Sequence, residues 1–459
     1  MQFNSISSAV ILAWLLIRPA PLLASGAGDA PWNLRNAPAV QRVESGQSTA
    51  ASAAWWGFNP ADATAALQAA INSRAKKVIV PFMGRPWIIG PVRLRSDLEV
   101  VFEPGVLVWA KKGEFRGPGD SLFGAVDCTN VVVRGYGATL RMRKHDYEHP
   151  PYTKAEWRMG LTFTGCRHVR VEGLRIEKTG GDGIYIGSSA RHPACWDVVI
   201  RDCVCAANYR QGISVISAVH LLIENCRLCR TAGTPPEAGI DLEPDTAQDR
   251  LVDCVVRNCR FEDNAGNAIL IYLKQLSHES EPVSIRFENC LARLGPAGMT
   301  RDEVAARHPK GWSGIAIGRV RDDGPQGLIE FVHCATENTG REGLRVYDKS
   351  AEGVRLRFQD CVWSNAWVAR HREYHGPRVP ILIESRDAAI CSKPGGIQFI
   401  DCFVHDSIPG APIRFEDKTG RLGLRAVSGL IQVQDSQATN PRLGPRPVDL
   451  HVTIARPSL

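Results

Sequence analysis

Hydrophobic side chains recur along the chain in a short pattern, Gly-apolar-x-apolar, in which every second residue is apolar. Such alternation is typical of a β-strand that buries one face. Four consecutive copies begin at residues 183, 212, 239 and 268, so they lie 29, 27 and 29 residues apart. The eight copies are Gly183-Ile-Tyr-Ile, Gly212-Ile-Ser-Val, Gly239-Ile-Asp-Leu, Ala268-Ile-Leu-Ile, Gly314-Ile-Ala-Ile, Gly343-Leu-Arg-Val, Pro380-Ile-Leu-Ile and Pro412-Ile-Arg-Phe.

A second repeated unit lies between these copies and ends in a polar residue followed by cysteine. We expect the polar residue to form a tight bend in the left-handed region and the cysteines to stack as reduced thiols inside the protein. Stacked disulfides are the alternative. The dipeptides are Asp202-Cys203, Asn225-Cys226, Asn258-Cys259, Asn289-Cys290, His333-Cys334, Asp360-Cys361 and Asp401-Cys402.

Two families of strands in each repeat predict a solenoid, because each coil then buries its apolar face against its neighbours. The period of two excludes helical repeats, and the chain lacks the hairpin signals of a propeller. Helix-forming residues at 61–74 predict a short N-terminal capping helix. We therefore expect a parallel β-helix at 91–419, preceded by a segment with the capping helix and first coil at 28–90 and followed by a cap at 420–459.

Three segments carry a resemblance to a known group of proteins. Residues 62–71, the run Gly135-Tyr-Gly-Ala-Thr-Leu and the run Gly181-Asp-Gly-Ile-Tyr-Ile are similar to segments of the pectate-lyase-like superfamily of right-handed parallel β-helix proteins. The resemblance implies extracellular polysaccharide chemistry by hydrolases, lyases or epimerases. The chain lacks the Asn-Thr-Asp and Gly-His-Gly motifs of polygalacturonase-like enzymes, so the resemblance does not identify polygalacturonate as the substrate.

The first residues of the chain predict where the protein is located. An apolar stretch at 9–17, followed by small residues at 24–27, predicts a signal peptide at 1–27 and hence a secreted or periplasmic protein. The formal net charge is only +7, with no run of basic residues, which argues against a nucleic-acid partner and is compatible with an acidic polysaccharide. No membrane partner is expected, and we expect a monomer.

The densest group of acidic residues on the predicted outer strand face is Asp241, Glu243 and Asp245. Residues two apart on a strand lie about 6.6–6.8 Å apart, near the lower edge of the separation of the two carboxylates in inverting glycosidases. We therefore interpret Asp241 and Glu243 as a catalytic acid and base that share a water. The alternative is a set of solvated carboxylates, with Asp245 paired to Lys274 on the next coil.

Side chains near this group are candidates for substrate binding. Tyr185 and Tyr272 would stack on sugar rings, and Arg210 or Lys274 would bind an anionic group of the substrate. Asp182 precedes the strand two coils earlier, where a turn role competes with a role in binding. The complete set of candidate binding residues is Asp182, Tyr185, Tyr209, Arg210, Asp245, Tyr272 and Lys274.

The preferred function is hydrolysis of glycosidic bonds by a pair of carboxylates. A polysaccharide lyase or uronate epimerase is the first alternative, in which a cation would neutralise the substrate carboxylate. A non-catalytic β-helix that binds glycans or forms a surface structure is the second. No metal site is expected because His and Cys lack the spacing of zinc ligands. No cofactor is expected for a hydrolase, whereas calcium would suit a lyase.

Overall fold

The computed structural model describes residues 35–308, 311–369, 378–406, 411–418, 423–434 and 450–455. The helices are α1 (Ala37–Glu44), α2 (Thr64–Asn72) and α3 (Arg301–Arg307), with 3-10 turns at Ala53–Trp56 and Asp146–Glu148. The predicted N-terminal helix is confirmed as α2. The predicted signal peptide lies outside the described residues. Within the described ranges, no helix is long and apolar enough to cross a membrane.

The described strands form two parallel sheets of 24 and 11 strands. The strands of the larger sheet are β1 (Ala50–Ser52), β2 (Lys77–Val80), β3 (Trp87–Ile89), β5 (Leu98–Phe102), β6 (Leu107–Ala110), β8 (Thr129–Arg134), β9 (Thr139–Arg141), β11 (Arg167–Glu172), β12 (Arg175–Glu177), β14 (Cys195–Arg201), β15 (Val204–Ala206), β17 (Ala218–Glu224), β18 (Arg227–Cys229), β20 (Leu251–Arg257), β21 (Arg260–Glu262), β23 (Val283–Glu288), β24 (Leu291–Arg293), β26 (Gly327–Val332), β27 (Ala335–Glu337), β29 (Arg355–Gln359), β30 (Val362–Ser364), β32 (Gly395–His405), β34 (Arg425–Gln434) and β35 (Leu450–Ala455). Those of the smaller sheet are β4 (Val92–Arg93), β7 (Phe123–Val126), β10 (Leu161–Thr164), β13 (Ile184–Gly187), β16 (Gln211–Val215), β19 (Ala238–Leu242), β22 (Ile269–Tyr272), β25 (Ile315–Val320), β28 (Leu344–Lys349), β31 (Ile381–Ser385) and β33 (Ile413–Asp417).

Eight of the eleven described strands of the smaller sheet, from β13 to β33, come from the eight repeats, in the register expected from the sequence. Ser214 of β16 lies beside Asp241 of β19, which lies beside Leu270 of β22. Successive strands of this sheet are separated in sequence by strands of the larger sheet, so the chain winds in coils. The predicted right-handed parallel β-helix, with its short N-terminal helix, is confirmed.

The bends between paired strands of the larger sheet use the polar residues that precede the cysteines. Their backbone φ angles lie between 47° and 56°, in the left-handed region that Asn and Asp adopt more readily than most residues. Amide side chains bridge neighbouring coils at this bend, as between Asn225 and Asp202 at 3.2 Å. These residues are Asp202, Asn225, Asn258, Asn289, His333, Asp360 and Asp401.

The cysteines after these bends point inward and are all free and buried. The Cys226 thiol donates to the carbonyl oxygen of Glu224 at 3.2 Å, and it also contacts the thiols of Cys203 and Cys259 on the adjacent coils. Fourteen buried free thiols confirm the expected interior ladder of reduced cysteines. Their packing continues into a stack of phenylalanines, of which Phe287 and Phe331 lie 4.8 Å apart.

Glycine at the start of the repeat allows the coils to approach each other closely. A Cβ atom on Gly212 would lie 2.4 Å from the carbonyl oxygen of Gly239, and one on Gly239 would lie 2.6 Å from that of Ala268. Such contacts are too short for any side chain. The glycines therefore allow the close spacing between neighbouring coils that positions the adjacent residues along the smaller sheet.

Candidate functional site

Asp241 lies on the outer face of the smaller sheet and is nevertheless fully buried. Its neighbours Ile240 and Leu242 point into the core, so alternation along β19 directs the carboxyl outward. The exposed fraction of Asp241 is 0%. Burial strongly disfavours a charged carboxylate, which makes this position different from a solvated surface aspartate.

The carboxyl groups of Asp241 and Glu243 lie close enough to interact strongly with each other. Burial, together with the negative charge of Glu243, raises the pKa of Asp241 well above its usual value. Burial also raises the pKa of Glu243, although Arg210 and the interaction with Asp241 oppose this shift. Both shifts favour the protonated form of a carboxyl. The interpretation of the two carboxyls as a catalytic acid and base that share a water stays a prediction.

Gln211, from the coil below, supports the buried member of the pair. Its amide donates to Oδ2 of Asp241 at 2.5 Å, while its carbonyl oxygen accepts from the Ser214 hydroxyl and from Nη1 of Arg210. Oδ1 of Asp241 has no hydrogen-bond partner among the described residues.

Arg210 lies just before β16, between the coil of Asp182 and the coil of Asp241. Its guanidinium is 3.7 Å from Glu156 and 3.7 Å from Glu243. Burial alone would lower the pKa of Arg210, but the carboxyls of Asp182, Asp241 and Glu156 outweigh that effect and raise it. The guanidinium is thus held by the protein's own carboxyls, and its contacts do not support the predicted role in binding a substrate anion.

Asp182 precedes β13 and belongs to the same electrostatic cluster. It is fully buried, and its carboxyl interacts with the Ser214 side chain and the Gln211 backbone. Burial raises the pKa of Asp182 to about 7, against the opposing charge of Arg210. Asp182 therefore combines the backbone contact of a turn residue with electrostatic coupling to Arg210.

A groove with a volume of about 250 Å³ opens beside Glu243. Trp157 forms part of its wall with half of its surface exposed, and Tyr185 lies on the floor. Aromatic faces of this kind bind the apolar faces of sugar rings. The groove is lined by Gly119, Ser121, Trp157, Met159, Thr162, Tyr185, Arg210, Ile216, Glu243 and Asp245.

The wall that carries Glu156 and Trp157 is anchored by Arg158. This arginine is fully buried, and it donates to the carbonyl oxygens of Phe115 at 2.7 Å and Thr153 at 2.8 Å. Its guanidinium also lies 5.2 Å from the ring centre of Tyr147. An otherwise irregular segment is therefore fixed against the coils at the edge of the groove.

Four predicted binding residues do not line the groove. Asp182 is fully buried and belongs only to the electrostatic cluster around Arg210. Tyr209 lies in a neighbouring cavity with Lys144 and Tyr147. Tyr272 interacts with Arg319. Lys274 makes no ion pair with Asp245 in the described structure, because the Asp245 backbone turns away and its N–H donates to Asp249 at 3.0 Å.

Sequence reasoning missed Gln211 and Glu156 as members of the site. Gln211 occupies the same position before Gly-Ile as Asp182, and this equivalence was a usable signal. Glu156 lies in a loop whose path the strand pattern does not determine. The structure thus brings together Asp182, Tyr185, Arg210, Asp241, Glu243 and Asp245 from the sequence-based set.

Comparison with known sequences agrees with the architecture. Residues 153–294 match the family model described as the right handed beta helix region. The chain is similar to YorA, a protein derived from the SPbeta prophage of Bacillus subtilis strain 168, with 24% identity over 286 residues. YclG of the same strain is 22% identical over 246 residues. The matches cover 59% and 50% of this chain but only 46% and 42% of those proteins.

Solved structures share the fold at low sequence identity. The A-module of the Azotobacter vinelandii mannuronan C-5 epimerase AlgE4 is 14% identical with a TM-score of 0.58, over 88% of this chain and 100% of that one. A family 28 exopolygalacturonase of Yersinia enterocolitica is 12% identical with a TM-score of 0.55, over 90% and 79%. A GH87 α-1,3-glucanase of Streptomyces thermodiastaticus is 15% identical with a TM-score of 0.54, over 89% of this chain and 68% of that one. The resemblance to right-handed β-helix proteins is confirmed as a resemblance of fold.

Proposed function

We propose that this right-handed β-helix protein hydrolyses glycosidic bonds of a polysaccharide, with the Asp241–Glu243 pair as the proton donor. The observation that carries the proposal is the interacting pair of carboxyls, with the pKa of each raised by burial, at the edge of a groove lined by aromatic residues. Raised carboxyl pKa values are what a general acid needs near neutral pH. Fold relatives whose names describe polysaccharide hydrolysis support the same reading.

In this mechanism Glu243 contacts the substrate and Asp241 supplies the proton. The proton moves through the pair to the glycosidic oxygen as the bond between that oxygen and the anomeric carbon breaks. A water oxygen bonds to the anomeric carbon and loses a proton to a base, for which Asp245 is the other carboxyl that lines the groove. Arg210 stabilises the negative charge left on the pair.

A lyase or epimerase is less well supported by the contacts of the site. Either reaction needs a cation to neutralise a uronate and a base to remove the C5 proton. Arg210 already faces Glu156 and Glu243, and burial raises the pKa of Tyr185, which makes it a poor base near neutral pH. Hydrolysis needs a protonated carboxyl, and the raised pKa values of Asp241 and Glu243 favour that form.

The test is a reducing-end assay on neutral, uronic and sulfated polysaccharides with Asp241→Asn and Glu243→Gln. Loss of a general acid lowers the rate by about 10²–10⁴-fold, so each variant should lose nearly all turnover. Asp253→Asn, whose side chain is 60% exposed on the larger sheet, is the matched control and should keep full activity. Full activity in both site variants, or products that absorb as unsaturated uronates, would contradict the proposal.

A further inference from the structure

The groove beside Glu243 continues along the outer face of the smaller sheet toward the N-terminal coils. A second cavity of about 610 Å³ shares Gly119, Ser121 and Thr162 with it. Its floor is formed by small outward residues, including Gly124 of β7, and it ends at Arg93 of β4. From β4 to β19 there are five strand steps of about 4.8 Å each, or about 24 Å. The two cavities together therefore accommodate several linked sugar residues.

The charges along this groove are mostly negative. Glu243 and Asp245 line one end, Asp120 lies between Gly119 and Ser121 where the two cavities meet, and Glu156 adjoins the wall. The cations that line the two cavities in the described structure are Arg93, at the far end, and Arg210. The Arg210 guanidinium is already surrounded by carboxyls, as its contacts with Glu156 and Glu243 show. A uronate or sulfate ester in this groove would meet carboxylates without a free cation near the reacting bond.

The polar groups that do face the groove suit hydroxyl groups. The hydroxyls of Ser121 and Thr162 are 2.6 Å apart on the floor, and each has further hydrogen-bonding capacity. Carboxylate oxygens such as those of Asp245 accept from sugar hydroxyls, and Trp157 offers half of its surface for stacking. The groove therefore supplies acceptors and aromatic surface rather than positive charge.

We infer that the substrate is an uncharged polysaccharide and that the acidic groove discriminates against uronic and sulfated chains. Like charges placed together without a compensating cation cost free energy, and this cost falls on anionic chains alone. The inference rests on the proposed hydrolase function for its reacting end, but the discrimination itself is a property of binding. It differs from the acidic substrate expected from the overall charge of the chain, because the local charge of the groove is opposite in sign.

The test compares each uronic polysaccharide with its own carboxyl-reduced form, which has the same linkages and no charge. Binding to the wild-type protein is measured by affinity electrophoresis, and turnover by the reducing-end assay. We expect the reduced form to bind more tightly, and rising salt to strengthen binding of the uronic form alone. Tighter binding of the uronic form, or binding of neither form, would overturn the inference. Preference for the reduced form without new reducing ends would leave the inference intact and refute the hydrolase.

Asp120→Asn tests the electrostatic origin of the preference. Asp120 accepts from the N–H of Gly117 at 2.7 Å, a bond that Asn also accepts, and it lies away from the carboxyl pair. Removing one charge about 6 Å from a bound uronate should strengthen uronate binding about threefold and leave the reduced form unchanged. Glu279→Gln, an exposed site elsewhere, is the matched control for net charge. An equal effect of both substitutions on uronate binding would show that the charge of the groove does not cause the preference for the uncharged form.

Discussion

The side-chain amide of Gln211 donates a hydrogen bond of 2.5 Å to Oδ2 of Asp241, one coil above it. This bond crosses from β16 to β19 and is the direct contact that orients the buried carboxyl toward Glu243. Because Gln211 is also fully buried, the bond is not weakened by competing solvent. Gln211 is therefore a positioning residue for the Asp241 carboxyl.

Replacing Gln211 by Leu should lower the hydrolysis rate by about 10-fold or more, since a buried acceptor then loses its donor. The carboxylate form of Asp241 would be less stabilised, so the alkaline limb of the pH–rate profile should move to higher pH. The profile of kcat against pH is the measurement. Gln326→Leu, at an exposed glutamine, should change neither the rate nor the profile. A lower rate with an unmoved alkaline limb would indicate a merely structural role.

Asp182→Asn should stabilise the protein at alkaline pH. The folded-state pKa of about 7 lies above the ordinary 3.8, so the carboxyl favours folding below pH 3.8, and this contribution is lost as the pH rises to about 7. At about 1.4 kcal/mol for each unit, the variant should gain up to about 4 kcal/mol over wild type at pH 8. Thermal unfolding at pH 4, 6 and 8 measures the difference.

The gain from Asp182→Asn should shrink toward zero at pH 4, where both proteins carry a neutral group at this position. Asp401→Asn serves as the control, because Asp401 is exposed and lies in a left-handed bend that Asn also adopts. A gain of equal size at all three pH values would show that the Asp182 carboxyl does not titrate as the burial of its side chain implies.

The cysteines of the ladder should not react readily with thiol reagents in the folded protein. All 14 cysteines are free and buried, so a reagent such as a disulfide dye should react slowly until the chain unfolds. In denaturant without reductant, all 14 thiols should then react. A lower count under these conditions, or a mass that is smaller by two hydrogens for each pair, would establish disulfides instead.

Lys144→Met should weaken the turn that carries Arg210. The buried Lys144 ammonium donates to the carbonyl oxygens of Ala207 at 3.3 Å and Asn208 at 3.2 Å, and it also contacts that of Ala232. Loss of these bonds should cost about 2–4 kcal/mol of stability and reduce kcat more than it changes KM. Chemical unfolding and steady-state kinetics measure the two effects.

Lys154→Met is the control for that experiment, because Lys154 lines the same small cavity but is exposed. It should leave both stability and kcat close to wild type. If the two lysine variants behaved alike, the carbonyl contacts of Lys144 would not be what holds the turn.

The sequence pattern was sufficient for the fold because the period of two and the positions of glycine and cysteine follow from backbone geometry alone. The same alternation placed Asp241 and Ser214 on neighbouring coils, as observed. It could not reveal that Asp241 and Glu243 interact strongly, since that depends on side-chain torsions and on burial. Burial in turn depends on the path of the segment around Trp157, which no periodic signal determines.

Arg210 illustrates the same difference. Its position just before β16 was predictable, and a guanidinium at the mouth of a groove suggested an anionic ligand. Its partners proved to be carboxyls from two different coils and from a loop. These groups are spread in sequence from Glu156 to Glu243. Their proximity can be recognised only when the position of each coil and the path of the loop are known.

The pairing of β22 with β25 shows that the stack tolerates long additions. Leu270 lies directly beside Ala316 although α3 and its flanking loops are inserted between the two strands. Extra segments can therefore be grafted between coils while the Asp241–Glu243 pair keeps its place. The loops that contact a substrate and the residues that react with it are separable in such a scaffold. New specificities can therefore be engineered by exchanging the loops alone.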